Sequence, residues 1–194
     1  MRDRNIILIG PMGVGKSSVA KELSVIAGLE YIDADSARWD YFYAQPDYNA
    51  EIVERLFNES KGEEAFQYMK PFEARFVLYI LDKYPCGVFD FGAGYSVYED
   101  NELFEMVRSA FSKYKYVIFL RYSEDKRESL KSLRERHTDV PEDLYFKLNK
   151  GFIESPCNEI LATYTIDTKN KSVREVVDVI LGKLRIVDET CRIV

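Results

Sequence analysis

Residues Gly10-Pro11-Met12-Gly13-Val14-Gly15-Lys16-Ser17 constrain this chain more than any other stretch. They match G-x-x-x-x-G-K-[ST] in full. An apolar, β-branched run over 5–10 (NIILIG) precedes them and reads as a buried strand. Residues 16–27 follow with Val19, Leu23 and Ile26 at helical spacing, and Gly28 can end that helix. A strand thus delivers the chain to Gly10. The glycines let backbone N–H groups of Met12, Gly13, Val14 and Gly15 turn inward without Cβ clashes. The helix start, at Lys16, Ser17 and Ser18, adds the positive end of its dipole. Lys16 can reach the outer phosphates of a nucleoside triphosphate, and the Ser17 hydroxyl can ligate Mg²⁺. ATP and Mg²⁺ are therefore the expected cofactors.

The rest of the chain alternates short apolar runs with helical patterns. Strands are predicted at 30–33, 86–91, 115–120 and 163–167, and helices over 50–60, 63–82, 100–112, 123–136, 142–155 and 173–184. Ser172 and Glu175 form a capping box before the last helix. Residues 185–194 carry no readable pattern. Such alternation implies βαβ crossovers and a mainly parallel sheet covered on both faces. The expected fold is α/β: one three-layer domain over 1–194, with a lid at about 121–145 and an aromatic insertion at about 36–50. In that insertion Trp39, Tyr41, Phe42 and Tyr43 form either a stacking wall for a ring or a local core under a loop.

Carboxylates at the carboxyl ends of the strands face the phosphates in such a sheet. Asp90 ends the apolar run Gly87-Val88-Phe89-Asp90, the form of an aspartate that holds Mg²⁺. Asp33 and Asp35 end the second strand. They suit metal or proton work on an acceptor hydroxyl, or helix capping. Gly92-Ala93-Gly94 follows Asp90 and allows close backbone approach to a substrate, or is a plain turn.

Composition narrows the partners. There are 27 Lys and Arg against 33 Asp and Glu, a net charge of -6, which argues against nucleic acid or an anionic membrane. No apolar stretch approaches the ~20 residues of a membrane span. Cys86, Cys157 and Cys191 are odd in number and widely spaced, which suits reduced thiols and a cytoplasmic protein. His137 is the only histidine and stands in a polar run. Phosphoryl transfer does not need it, because positioning and electrostatics carry that chemistry.

With the motif, Tyr31-Ile32-Asp33-Ala34-Asp35 and Gly62-Glu63-Glu64-Ala65-Phe66 in view, the chain resembles shikimate kinase, within the P-loop nucleoside-monophosphate-kinase-like fold. Gly92-Ala93-Gly94 stands where that family has three glycines, and Ser155-Pro156 and Thr165-Ile166-Asp167-Thr168 are similar to its C-terminal part. The resemblance implies a five-stranded parallel sheet, a lid, and MgATP-dependent phosphorylation of a hydroxyl. It implies a metal-assisting role for Asp33 and an acceptor-hydroxyl role for Asp35. For its lid arginine this chain offers Arg134 and Arg136, without the family's Arg-Pro pair, since Pro141 comes several residues later.

The resemblance breaks on the acceptor side. The family grips an acid with arginines. One follows the Phe of G-E-x-x-F, where this chain has Gln67. The other precedes the x-P turn, where it has Glu154. Gln offers no charge and Glu would repel an acid, so a different acceptor is expected: a polyol, sugar, nucleoside or cation. Gln67, Glu154, Gly92, Ala93 and Gly94 are then substrate residues, with Lys70 and Arg75 as reserve contacts for an anion. The competing readings are a P-loop NTPase coupled to a partner and a nucleotide-binding regulatory protein without kinase activity.

Overall fold

The computed structural model describes residues 5–135 and 142–191, and the backbone alone for 142–143 and 185–191. The elements run β1 (Ile6–Ile9), α1 (Lys16–Ala27), β2 (Tyr31–Asp33), α2 (Ala34–Tyr43), α3 (Ala50–Asn58), α4 (Gly62–Lys83) and β3 (Val88–Asp90). A 3₁₀ turn (Ala93–Ser96) follows. Then come α5 (Asn101–Phe111), β4 (Tyr116–Arg121), α6 (Lys126–Arg134), α7 (Glu142–Glu154), α8 (Cys157–Leu161), β5 (Tyr164–Asp167) and α9 (Val173–Cys191).

The five strands are all parallel in the order β2-β3-β1-β4-β5. Successive side chains of a strand point to opposite faces. Ile7 and Ile9 join a core with Phe72, Phe76 and Ile80 of α4 and Val107 of α5. Ile6 and Leu8 join a second core with Val19 and Leu23 of α1 and Val177 and Ile180 of α9. The sheet is buried on both faces, so β1 reads as an unbroken apolar run. The capping box closes as expected: Glu175 accepts from the Ser172 amide at 2.7 Å, and Ser172 Oγ accepts from the Glu175 amide at 3.3 Å.

The aromatic insertion begins as a helix. Asp33 caps α2 by accepting from the Ser36 amide at 3.0 Å, and the helix continues to Tyr43. Phe42 is fully buried against Phe72 and Phe76, and Trp39, Tyr41 and Tyr48 pack partly buried on the same core. Most of these rings extend the main core, while Tyr43 is 65% exposed. The short α8 was not predicted. Cys86 and Cys157 carry free thiols. Among the described residues no helix is long and apolar enough to cross a membrane.

Candidate active site

The phosphate cradle takes its shape from the backbone. Gly10, Gly13 and Gly15 have φ of 141°, 79° and 99°, a region that L side chains rarely adopt. At Gly10 a Cβ would also lie 2.2 Å from the Leu120 carbonyl oxygen of β4, so only glycine lets the loop leave the sheet there. Lys16 is 8% exposed, and its ammonium donates to the carbonyls of Gly10 and Pro11, both at 2.9 Å. Burial lowers its pKa, while Asp90 and Asp35 work the other way. α1 starts on Gly15 without a side-chain cap and with no acid in its first turn. Its leading N–H groups are therefore left for an anion. Ser17 and Ser18 are exposed at that end.

Three carboxylates stand beside the cradle. β2 and β3 are neighbours in register, which sets Asp33 opposite Asp90. Asp90 is 6% exposed and accepts from the Tyr31 hydroxyl at 3.1 Å. Burial, then Asp90 and Asp33, push the Tyr31 phenol far up, so it stays a donor. Asp33 spends its oxygens on the Ser36 amide and hydroxyl. Asp35 stands in the first turn of α2, with Arg38 Nη1 at 3.3 Å. Loss of water in the cleft raises its pKa, opposed by Arg38 and Lys16. Its side chain is nonetheless 56% exposed, so solvent screens that effect. Gly92 faces it directly: a Cβ there would sit 2.6 Å from Asp35 Oδ1.

Among the described residues no three His, Cys, Asp or Glu side chains form a metal cage. Mg²⁺ does not require one, since it is commonly held by one or two protein oxygens plus phosphates and water. The Ser17 hydroxyl and the carboxylates of Asp33 and Asp90 fit that donor chemistry.

Beyond Gly92-Ala93-Gly94 lies a cavity of about 850 Å³ between α4, the segment after the 3₁₀ turn, α5, α7 and α8; Asp35, Gly92, Ala93 and Gly94, expected as substrate residues, do not line it. Gln67 and Glu154, 87 positions apart in sequence (154 less 67), both line it. Lys70 lines it too, one turn after Gln67. Its ammonium donates to Glu73 Oε2 at 2.8 Å and to the Gly94 carbonyl at 2.6 Å. Arg75 does not line the cavity. It pairs with Asp47 at 2.9 Å and lies over the Phe72 ring. Ala93 is buried in the 3₁₀ turn, which Ser96 ties to α8 through Asn158 at 2.7 Å.

Several site residues carry no mark in the sequence. Asn149 of α7 is fully buried. Its Oδ1 accepts from the Met12 amide at 2.9 Å, and its Nδ2 donates to the Met12 carbonyl at 3.3 Å and to the Tyr145 hydroxyl at 2.8 Å. That hydroxyl donates in turn to the Leu133 carbonyl near the end of α6 at 2.9 Å. A hydrogen-bonded chain therefore runs from Met12 of the cradle through α7 to Leu133 of α6, one residue before Arg134. The i, i+4 spacing of Tyr145 and Asn149 was the only available signal. Arg136 and His137 lie outside the described residues.

Comparison with known proteins agrees with this geometry. The sequence model of the shikimate kinase family matches residues 12–185. A shikimate kinase of Dehalococcoides mccartyi is 32% identical over 190 residues, covering 96% of each chain. One from Histophilus somni is 28% identical over 180 residues, covering 88% of this chain and 89% of its own. Among solved structures, shikimate kinase from Acinetobacter baumannii in complex with shikimate superposes with a TM-score of 0.67 at 20% identity, covering 94% of this chain and 93% of its own. A gluconokinase from Sinorhizobium meliloti does so at 0.58 and 16% identity, covering 99% and 98%. The fold is therefore shared with kinases of different acceptors, and by the family match over most of its length the chain belongs to the shikimate kinase family, ATP-dependent kinases of small molecules.

Proposed function

We propose that the protein transfers the γ-phosphoryl group of MgATP to a hydroxyl of a small molecule other than shikimate. One observation carries this reading: Gln67 and Glu154, at the two positions where the family resemblance puts acid-gripping arginines, line the same cavity. An arginine fork binds a carboxylate through paired, charge-assisted hydrogen bonds; an amide and a second carboxylate cannot.

On this reading the residues take the following roles. The N–H groups of Gly13 to Ser18 and the Lys16 ammonium hold the phosphates and offset charge on the transferring group. Mg²⁺, when bound through Ser17 with Asp33 and Asp90 nearby, supplies further charge neutralisation. Asp35 accepts the proton of the acceptor hydroxyl as its oxygen bonds to phosphorus and ADP leaves. Gly92 keeps room for the Asp35 carboxylate. Arg134, from the lid helix, and Arg136 complete the phosphate side. The unpaired thiols suit a cytoplasmic protein.

The test is ADP release with MgATP alone, then with shikimate, polyols, sugars and nucleosides. Turnover that depends on an acceptor, with shikimate a poor one, is expected. Hydrolysis indifferent to every acceptor would favour an NTPase, and efficient turnover of shikimate would overturn the acceptor reading.

A further inference from the structure

The cavity holds one polar device that the phosphate chemistry does not use. Lys70 and Glu73 form a buried ion pair on α4, with side chains 11% and 2% exposed. They stand directly under Gly94, where a Cβ would meet Lys70 Nζ at 3.1 Å and Glu73 Oε2 at 3.2 Å. The Lys70 ammonium lies 5.0 Å from the centre of the Tyr98 ring, and Tyr98 also lines the cavity. The Tyr98 hydroxyl is buried and, among the described residues, has no hydrogen-bond partner.

An ammonium has three donors. Lys70 gives one to Glu73 and one to the Gly94 carbonyl. The third is unassigned among the described residues, on a side chain that faces the cavity. Glu73 is 2% exposed and bonded to Lys70, so its negative charge stays beside whatever Lys70 holds. A carboxylate or phosphate placed on Lys70 would meet Glu73 at short range in a poorly screened site. Glu63, Glu99 and Glu154 bring negative charge to the rest of the cavity lining, and Lys147 and Lys150 positive charge, Lys147 being paired with Glu63. Gln67 brings none, so the charge that a group on Lys70 meets first is that of Glu73. A neutral hydroxyl or carbonyl oxygen can accept from Lys70 without that repulsion.

We infer that Lys70, neutralised and held in place by Glu73, is the specificity-determining donor of the acceptor site and selects a neutral oxygen on the acceptor over an acidic group. This rests on the proposed kinase reading for its location but not for its readout.

Shikimate and its methyl ester serve as matched probes, because they share the hydroxylated ring and differ in the charge of one group. Binding of each is measured by calorimetry with ADP present, and turnover by ADP release corrected for acceptor-free hydrolysis. The wild-type protein should bind the ester at least ~10-fold more tightly than the acid. Glu73→Gln leaves the Lys70 charge unopposed and should shift the acid-to-ester ratio about tenfold toward the acid. Lys70→Met, which keeps the stem's packing, should weaken the ester about tenfold while ATP binding is unchanged. A thermal melt checks that both variants fold. If Glu73→Gln does not fold, Lys70→Met and Lys70→Gln carry the test. A wild-type preference for the acid overturns the inference, as does failure to bind either probe or an unchanged ratio in folded Glu73→Gln. Ester-selective binding without phosphorylation of any acceptor leaves the inference standing and overturns the kinase reading instead.

Discussion

The cradle and the cavity are linked through Gly92-Ala93-Gly94, which lines neither, yet they are built in different ways. The cradle is one short loop whose geometry is written in backbone angles. Three glycines at positive φ and one buried lysine define it. The cavity is assembled from side chains on α4, α5, α7, α8 and the segment after the 3₁₀ turn, drawn from positions 63 to 160. Gly92 and Gly94 are the seam: the first leaves room for Asp35, the second for Lys70 and Glu73. A backbone device tolerates little change, because each substitution alters the nest itself. A side-chain device can be rewritten position by position on an intact scaffold, which is how one fold serves several acceptors.

The largest effect should come from the cradle. Lys16→Ala removes the charge that offsets the transferring phosphoryl group, and kcat/KM should fall by at least ~10³-fold. The melting temperature should not fall comparably, since the lost group is a buried cation held only by two carbonyls. Full activity in this variant would sink the cradle's assignment.

The cavity should respond in the opposite sense, by gaining an activity. Gln67→Arg with Glu154→Arg puts two charged donors into the cavity lining, one from α4 and one from α7. By the usual worth of hydrogen bonds to charged groups, kcat/KM for shikimate should rise by roughly 10²-fold or more. ATP affinity should not move. An unchanged shikimate activity would mean that these two side chains do not face the acceptor.

A similar contrast governs what the sequence makes legible. The cradle, the strands around it and the carboxylates at their ends are local features, so eight contiguous residues and a few apolar runs reveal them. Gln67 and Glu154 become readable only through a family spacing, which the shared cavity supports. Glu73 could not be found this way: between Phe72 and Ala74 on an otherwise ordinary helix, nothing local says that its carboxylate is buried. Asn149 is hidden for the same reason, because its partner, the backbone of Met12, lies 137 positions away. The aromatic helix α2 escaped because its rings face several ways. Phe42 enters the core while Tyr43 is 65% exposed, which blurs the helical period.

Asn149 probes whether the two halves are coupled. Asn149→Ala takes the partner from the Met12 amide and one of two hydrogen bonds from the Tyr145 hydroxyl, which keeps the Leu133 carbonyl. Each unsatisfied buried group costs about 1–3 kcal/mol, so the melt should shift clearly downward. ATP should bind more weakly as the cradle loosens, while acceptor selectivity should stay as it was. A change in selectivity without a change in ATP binding would show that α7 acts on the cavity alone.

The smallest effect is a displaced pH profile. Asp35 must be ionised to take the acceptor proton, so activity should fall as pH drops through its pKa. Burial raises that pKa above the ordinary aspartate value, and Arg38 is the largest opposing influence. Arg38→Met keeps much of the side chain's packing over Trp39 but removes the cation. The Asp35 pKa should then rise, and the acidic limb of kcat/KM should move to higher pH with the plateau nearly intact. A profile that stays in place, in a variant that still folds and turns over, would take the proton away from Asp35. The cradle's other carboxylates would then have to be tested, beginning with Asp33, whose two oxygens are already committed to Ser36.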